Sequence, residues 1–247
     1  MVTILASSPV KELCPEFPEP ELQEQNGFLE LLQEEWPEEA RCLMIAAFPD
    51  NYDQNDEMAG YYQEAVENSG LPVACFDLWD SRCDGLSWEE FQSYDVVFLS
   101  GGHVPTEHEW FEYIELRELL EGFEGIVIGT SAGSMNAARE VYAWPEEPGE
   151  SEDPDYERFF EGLGLAETNV LPHYQKVKDS FLDDKLLVQE IAAGDSLGKR
   201  FFAIPDGSYI LVKDGEEIVF GEAYLVVDGE ISKFCEAEEC RLCWPNA

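Results

Sequence analysis

Four short stretches of the chain are apolar almost throughout: Cys42–Phe48, Val73–Leu78, Val96–Leu99 and Ile126–Ile128. A strand with one wet face alternates, so an unbroken apolar run of this length reads as a strand covered on both faces. Between these runs lie segments of helical period. Glu57–Asn68 carries Met58, Tyr61, Tyr62, Ala65 and Val66 along one side and stops at Ser69-Gly70, a glycine stop signal. Ser87 precedes Glu90 by three residues, which is a capping box opening a short helix, and Glu107–Leu120 reads as helix too. Val2–Leu5 adds a first strand, and Phe28, Leu31, Leu32 and Trp36 place a helix over about 25–36. Strands alternating with helices predict an α/β fold, a mostly parallel central sheet with helices on both faces. Such sheets bind ligands beyond the carboxyl ends of their strands.

One strand end stands out. Gly125-Ile126-Val127-Ile128 runs into Gly129-Thr130-Ser131-Ala132-Gly133 and then into helix formers. Gly129, Ser131 and Gly133 match the G-x-S-x-G nucleophile elbow, in which a sharp strand-to-helix turn lifts a serine hydroxyl clear of the backbone. The same pattern also fits an ordinary βα turn. If Ser131 is a nucleophile, the helix start behind it supplies amides for a developing oxyanion. The expected donors are the N–H groups of Ala132 and of Gly102 or Gly101, because glycine lets a loop backbone approach a carbonyl oxygen.

A serine needs a base, itself oriented by an acid. The chain has three histidines. His173 ends a short strand, Asn169–Pro172, and is the best-placed base; His103 follows Gly101-Gly102; His108 reads as solvated helix surface. Two carboxylates could orient the base. Asp206 follows the strand Phe201–Ile204, and Glu146 lies in the acidic stretch after the elbow. None of the seven cysteines sits in an elbow. Cys235, Cys240 and Cys243 cluster with spacings of five and three and no nearby histidine, a weak zinc pattern, so they read as structural. The expected chemistry uses side chains alone, with no cofactor and no metal.

Composition narrows the partners. Lys and Arg total 14 against 54 Asp and Glu, a formal net charge of −40. That field repels phosphate backbones and anionic lipid, so neither nucleic acid nor membrane is an expected partner; solubility or adaptation to salt explains the charge. Met1–Val10 shows neither a basic leader nor a long apolar run, and no stretch approaches a membrane span. Odd, scattered cysteines suit reduced thiols. The expected location is cytoplasmic. Oligomeric state is not encoded in any pattern seen here.

The remaining segments fill in the organisation. An acidic, proline-broken loop is expected over Pro9–Pro20, an acidic flap over about 144–161 and a helix over about Asp183–Ala193. C-terminal β-hairpins are expected at Asp214-Gly215 and Asp228-Gly229. The whole reads as a single domain, 1–247, with a tail from about 235.

Taken together, three blocks of this sequence resemble the peptidase E family of serine peptidases, aspartyl dipeptidases that also include the cyanophycinases. They are Val96–Leu99 with Ser100-Gly101-Gly102, then Gly129–Ser134, then Gly162–Leu165 with Leu171-Pro172-His173-Tyr174. A fourth, Ala203–Gly207, is similar to a family block with glutamate in the place of Asp206. The resemblance implies a class I glutamine amidotransferase-like fold, a triad of Ser131, His173 and an acid, for which Asp206 is favoured over Glu146, and a small peptide substrate bearing aspartate. It also implies a basic residue downstream of the histidine to hold the aspartate side chain. Lys176, Lys178 and Lys185 are available, and Lys185 is the residue assigned. His103, where the family often has asparagine, is expected to face the substrate, and with the acidic flap it keeps a cationic substrate open. Two other readings share features with this chain. An α/β-hydrolase esterase has the elbow but places its acid before a histidine near the chain end, whereas 74 residues follow His173. A non-catalytic relative would keep the scaffold and bind without turnover.

Overall fold

The computed structural model describes residues 1–15, 18–83 and 85–244. In chain order the first half runs β1 (Val2–Ala6), α1 (Phe28–Glu35), β2 (Ala40–Ile45), α2 (Tyr52–Asn68), β3 (Val73–Trp79), α3 (Trp88–Phe91), β4 (Val96–Leu99), α4 (Val104–Tyr113), α5 (Leu116–Leu120), β5 (Ile126–Thr130) and α6 (Ala132–Asn136). Then come β6 (Glu140–Tyr142), β7 (Phe159–Glu161), β8 (Asn169–Leu171), α7 (Tyr174–Val177), β9 (Phe181–Leu182) and β10 (Lys185–Leu186). The chain finishes with β11 (Arg200–Ala203), β12 (Tyr209–Lys213), β13 (Glu216–Phe220), β14 (Ala223–Val227), β15 (Glu230–Cys235) and β16 (Cys240–Leu242).

An eight-stranded sheet in the order β16-β13-β12-β1-β5-β4-β2-β3 forms the centre. Its five apolar strands β1, β5, β4, β2 and β3 are parallel, and β12, β13 and β16 extend it antiparallel. The register aligns Ala6 with Thr130, Leu99 with Gly129 and with Ile45, and Ile45 with Trp79. The carboxyl ends of the parallel strands therefore meet along one edge.

Alternate residues of each strand feed two separate cores. Ile4, Met44, Phe98 and Ile128 pack with Phe28 and Leu32 of α1 and Tyr62, Ala65 and Val66 of α2. Leu5, Leu43, Val97 and Val127 pack on the other face against Trp110 and Phe111 of α4 and Leu116, Leu119 and Leu120 of α5. This two-sided burial explains why the strands carry so few polar residues.

A second, four-stranded sheet in the order β15-β14-β11-β8 lies against that face, adding Val170 and Phe202 to its core. Both strands expected to deliver the base and the acid, β8 and β11, belong to this second sheet and pair in parallel, whereas the sequence pattern alone implies one sheet. Asp214 and Asp228 open the β12–β13 and β14–β15 hairpins with φ of 53° and 50°, followed by Gly215 and Gly229 at 79° and 85°. Positive φ at both central residues is the type I′ turn that Asp-Gly favours.

Several boundaries differ from the sequence reading. The helix expected over Glu107–Leu120 begins at Val104, with Pro105 in its first turn, and breaks at Glu115, whose φ is 53°. The helix expected over Asp183–Ala193 starts only at Leu187. Asp183 and Asp184 form the turn of the β9–β10 hairpin at φ of 48° and 63°, a left-handed pair that short acidic side chains tolerate. The acidic flap is the excursion between β6 and β7, which pair antiparallel and hold its base. Of the expected loop Pro9–Pro20, residues 16 and 17 lie outside the described residues, as do 245–247 of the tail. Cys235 and Cys243 are buried in the core, where cysteine packs as a small apolar group. Among the described residues no group of His, Cys, Asp and Glu is arranged to hold a metal ion, and no helix is long and apolar enough to cross a membrane.

Candidate active site

Ser131 sits between the last residue of β5 and the first of α6 with φ 50° and ψ −110°. A non-glycine residue in that region costs about 1–3 kcal/mol and persists only where its surroundings fix it. Here they do. The Ser131 N–H donates to Ala6 O (3.1 Å), and Ser131 O accepts from the N–H groups of Ser134 and Met135 (3.0 and 3.1 Å). The flanking glycines are steric necessities. A Cβ on Gly129 would lie 2.8 Å from the Ser134 backbone, and one on Gly133 would lie 2.4 Å from Leu99 O. The turn is thus pressed between its own helix and β4.

Gly101 adjoins Ser131: its Cβ site is 3.3 Å from Ser131 Cβ. Gly102 instead fits against Ala47 and Phe48, at 2.6 and 2.8 Å from its Cβ site. Its lack of a side chain is a packing requirement, and Gly101 is the residue of the pair that lies against Ser131. Among the described residues the N–H groups of Gly101, Gly102 and Ala132 have no backbone or side-chain acceptor outside regular structure.

His173 follows β8 and Asp206 follows β11, so the parallel pairing of those strands brings both to the same end of the second sheet. His173 Nδ1 lies 2.6 Å from Asp206 Oδ1. A carboxylate only accepts, so the proton is on Nδ1 and the Nε2 lone pair is left for chemistry. Asp206 Oδ1 also accepts from Ser7 Oγ (2.7 Å). Its Oδ2 accepts from Gln175 Nε2 (2.6 Å) and pairs with Lys176 Nζ (3.0 Å). Burial pushes this carboxyl upward, but the bonds from His173 and Ser7, the His173 charge and the Lys176 bond outweigh it and hold Asp206 well below the usual carboxylate range.

Ser131 connects to this pair through β1. Ala6 O binds the Ser131 N–H, and the next residue, Ser7, is hydrogen-bonded to both His173 and Asp206. No hydrogen bond joins the Ser131 hydroxyl to the His173 ring among the described residues. Such bonds often tighten only when substrate is present.

The other expected residues go elsewhere. Glu146 accepts from Trp144 Nε1 (2.9 Å); its carboxyl is pushed up by desolvation, against the Trp144 bond and His103, and it makes no bond to His173. His103 is the N-cap residue of α4, with Nδ1 at 2.8 Å from Thr106 Oγ1 and Nε2 at 3.2 Å from Glu150 Oε1. It therefore fastens the loop at Gly101-Gly102 to the flap. His108 is half-buried on the helix surface: its ring lies 4.1 Å from that of Phe160, and burial lowers its pKa. Lys185 lies in the β9–β10 hairpin and forms no bond or ion pair with Ser131, His173 or Asp206 among the described residues; Lys176 is the lysine that reaches the acid. Burial pushes the Cys42 and Cys243 thiols up to about 12, which leaves them unreactive. Ser7 and Gln175 were missed by sequence reasoning. The available signal was Ser7's place directly after a strand that ends at the ligand edge.

On the outer side of Asp206 opens a cleft of about 630 Å³, lined by Ser8, Lys11, Tyr61, Tyr62, Gln175 and Lys176 among others. Tyr62, in the wall of this cleft, donates to Thr130 Oγ1 (2.9 Å), the residue before Ser131.

Comparison with known proteins agrees with this architecture. The chain resembles the crystal structure of a peptidase from an acI-B1 Actinobacterium at 14% identity and a TM-score of 0.64, covering 98% of this chain and 96% of that one. It resembles a peptidase E protein from Listeria monocytogenes EGD-e at 16% identity and a TM-score of 0.58, covering 88% and 96%. At such identities the likeness is one of fold. No protein of curated function matches the sequence. The profile of peptidase family S51 matches residues 57–220, a span that contains Ser131, His173 and Asp206. The chain therefore belongs to peptidase family S51, the peptidase E family, and is a serine-type peptidase.

Proposed function

We propose that this peptidase hydrolyses small peptides, aspartyl dipeptides or related Asp-derived amides, with Ser131 as nucleophile, His173 as base and Asp206 as its orienting acid. The observation that carries the reading is the strained Ser131 turn anchored on Ala6 O, one residue before the serine that binds the His173–Asp206 pair. Ser131 Oγ attacks the scissile carbonyl while His173 Nε2 takes its proton, and Asp206 stabilises the resulting imidazolium. The amides of Ala132 and the Gly101-Gly102 turn receive the oxyanion. His173 then returns the proton to the leaving amine and activates water to release the acyl group.

The order Ser131, His173, Asp206 separates this site from an α/β-hydrolase esterase, whose acid precedes its histidine. The charges of the cleft and the flap are largely paired within the chain. Lys11 and Lys176 line the cleft, where Lys11 pairs with Glu21 and Glu24 and Lys176 with Asp206 and Glu12. In the flap, Glu150 is engaged by His103 and by the N–H groups of Glu146 and Glu147, so it serves the loop's own structure. Both cleft lysines are thus matched by carboxylates of this chain, and the aspartyl preference rests on membership of the peptidase E family.

Fluorophosphonate labelling tests the nucleophile: wild-type protein should label once, and Ser131→Ala should not label at all. Equal labelling of both would overturn the assignment. A dipeptide library read by mass spectrometry tests the substrate, with Asp-Xaa members expected to be cleaved before arginine-containing ones.

A further inference from the structure

Ser7 directly follows the first strand, has no exposed surface and belongs to no motif. Its hydroxyl nevertheless makes three contacts with the base and the acid. Ser7 Oγ accepts from the His173 backbone N–H at 2.7 Å, donates to Asp206 Oδ1 at 2.7 Å and lies 3.2 Å from His173 Nδ1. A hydroxyl has one proton and two lone pairs, and this arrangement uses the proton on the carboxylate and a lone pair on the amide.

The amide bond matters because of where His173 is. Its backbone is left-handed, φ 57° and ψ 31°, a conformation uncommon outside glycine and one that histidine adopts more readily than most side chains. Ser7 Oγ is the acceptor for the N–H of this left-handed residue, at 2.7 Å. The carboxylate bond matters for a second reason. Oδ1 is the oxygen that receives the His173 Nδ1 proton, so Ser7 shares that oxygen and sets how much negative charge faces the ring.

We infer that Ser7 is a positioning residue for the triad, holding the left-handed backbone of His173 and tempering the Asp206 oxygen that orients its ring. The inference rests on the Ser131–His173–Asp206 reading. Together with Ala6, whose carbonyl anchors the Ser131 N–H and also accepts from Ser134 Oγ at 2.8 Å, it makes the end of β1 the place where nucleophile, base and acid are registered to one another. This residue pair lies at the start of the chain, more than a hundred residues from the nucleophile.

The sign of the effect follows from the geometry. Without the Ser7 proton, Oδ1 presents more charge to Nδ1–H and the charged form of the ring is favoured. Ser7→Ala should therefore lower kcat/KM by about ten- to a hundredfold and displace the acid limb of its pH profile upward. Ser7→Thr, which keeps the hydroxyl, should restore both. A merely structural role would lower the rate and leave the limb in place, and that result would overturn the inference, as would wild-type behaviour of Ser7→Ala. If Ser7→Ala shows no cooperative thermal transition, Ser7→Cys takes its place, with the same displacement expected and an unmoved limb again decisive. Fluorophosphonate labelling of Ser131→Ala runs alongside. Its persistence would sink the triad itself, whereas its loss together with an unmoved limb in the Ser7 variant would sink Ser7 alone.

Discussion

At Ser131 the constraint is steric, and at His173 and Asp206 it is polar. The nucleophile turn is squeezed between β4 and α6 so closely that neither Gly129 nor Gly133 has room for a methyl group. It is held by backbone bonds within a few residues and by more distant partners, Ala6 O and the Tyr62 hydroxyl that donates to Thr130 Oγ1. His173 and Asp206 stand on loops of the second sheet and are held by side chains just after β1 and in α7, those of Ser7, Gln175 and Lys176. A close-packed turn has one arrangement; a network of side-chain bonds can be altered one member at a time. The two halves should therefore respond differently to substitution.

The largest difference is expected at the acid. Asp206→Asn keeps the shape but lets the His173 ring adopt the wrong tautomer, and a loss of about 10³–10⁴ in kcat/KM is expected. Glu146→Gln, at a carboxylate bonded to Trp144 instead of to His173, should change it less than about threefold. Steady-state kinetics on one dipeptide compares the two, and the reverse ranking would move the acid to the flap. The same Asp206 variant has a stability signature. A carboxyl held below its unfolded value adds stability that is complete above about pH 4 and is lost as pH falls further. Asp206→Asn should thus lower Tm at pH 7 while narrowing the gap to wild type in acid.

This contrast also explains what the sequence made legible. The turn at Ser131 is local, so G-x-S-x-G and the apolar run before it show both the strand and its end. Asp-Gly pairs marked both C-terminal hairpins for the same reason, because the backbone angles are set by two adjacent residues. The second sheet was not legible: β8 is three residues long, and its pairing with β11 joins segments about thirty residues apart. The Asp183-Asp184 turn was absorbed into a helix since acidic residues also suit helix starts. Ser7 carried no pattern, as its role exists only once β1 lies beside β5 and the second sheet folds over them. His103 was legible as a loop residue, while its tie to Glu150 needed the flap to be in place.

The nucleophile half offers a second test, of intermediate size, at Glu107. This residue of α4 is wholly buried; its Oε2 accepts from Asn136 Nδ2 of α6 at 2.9 Å, and its Oε1 and Asn136 Oδ1 have no partner among the described residues. Burial drives its carboxyl well above the ordinary range against the Asn136 bond, and Glu146 adds charge repulsion. An acid with a raised folded pKa loses stability as pH climbs from its unfolded value toward the folded one. Glu107→Gln supplies an N–H where a charge would otherwise form, so it should match wild type near pH 4 and exceed it by about 1–3 kcal/mol at pH 8. Denaturant unfolding at the two pH values reads this. A variant less stable at pH 8 would show that the nucleophile helix depends on a charged Glu107.

The smallest effect belongs to Lys176, and it bears most directly on the polar half. Its ammonium is half exposed and divides itself between Asp206 at 3.0 Å and Glu12 at 3.6 Å, so solvent screens it and its worth to folding is at most about 1 kcal/mol. The Asp206 bond raises the lysine's own pKa, so the cation is present throughout the working range. It draws charge toward Oδ2, the oxygen turned away from His173. Lys176→Met should therefore leave Tm nearly unchanged, shift the acid limb of kcat/KM upward by less than the Ser7 variant does, and change the plateau rate by only about two- to fivefold. Raising salt should shrink the wild-type difference, because screening weakens an exposed pair first. A plateau loss as large as that of Asp206→Asn would mean that Lys176 contacts substrate in the cleft. In that event KM for Asp-Xaa dipeptides, compared with neutral ones, would rise selectively in the variant.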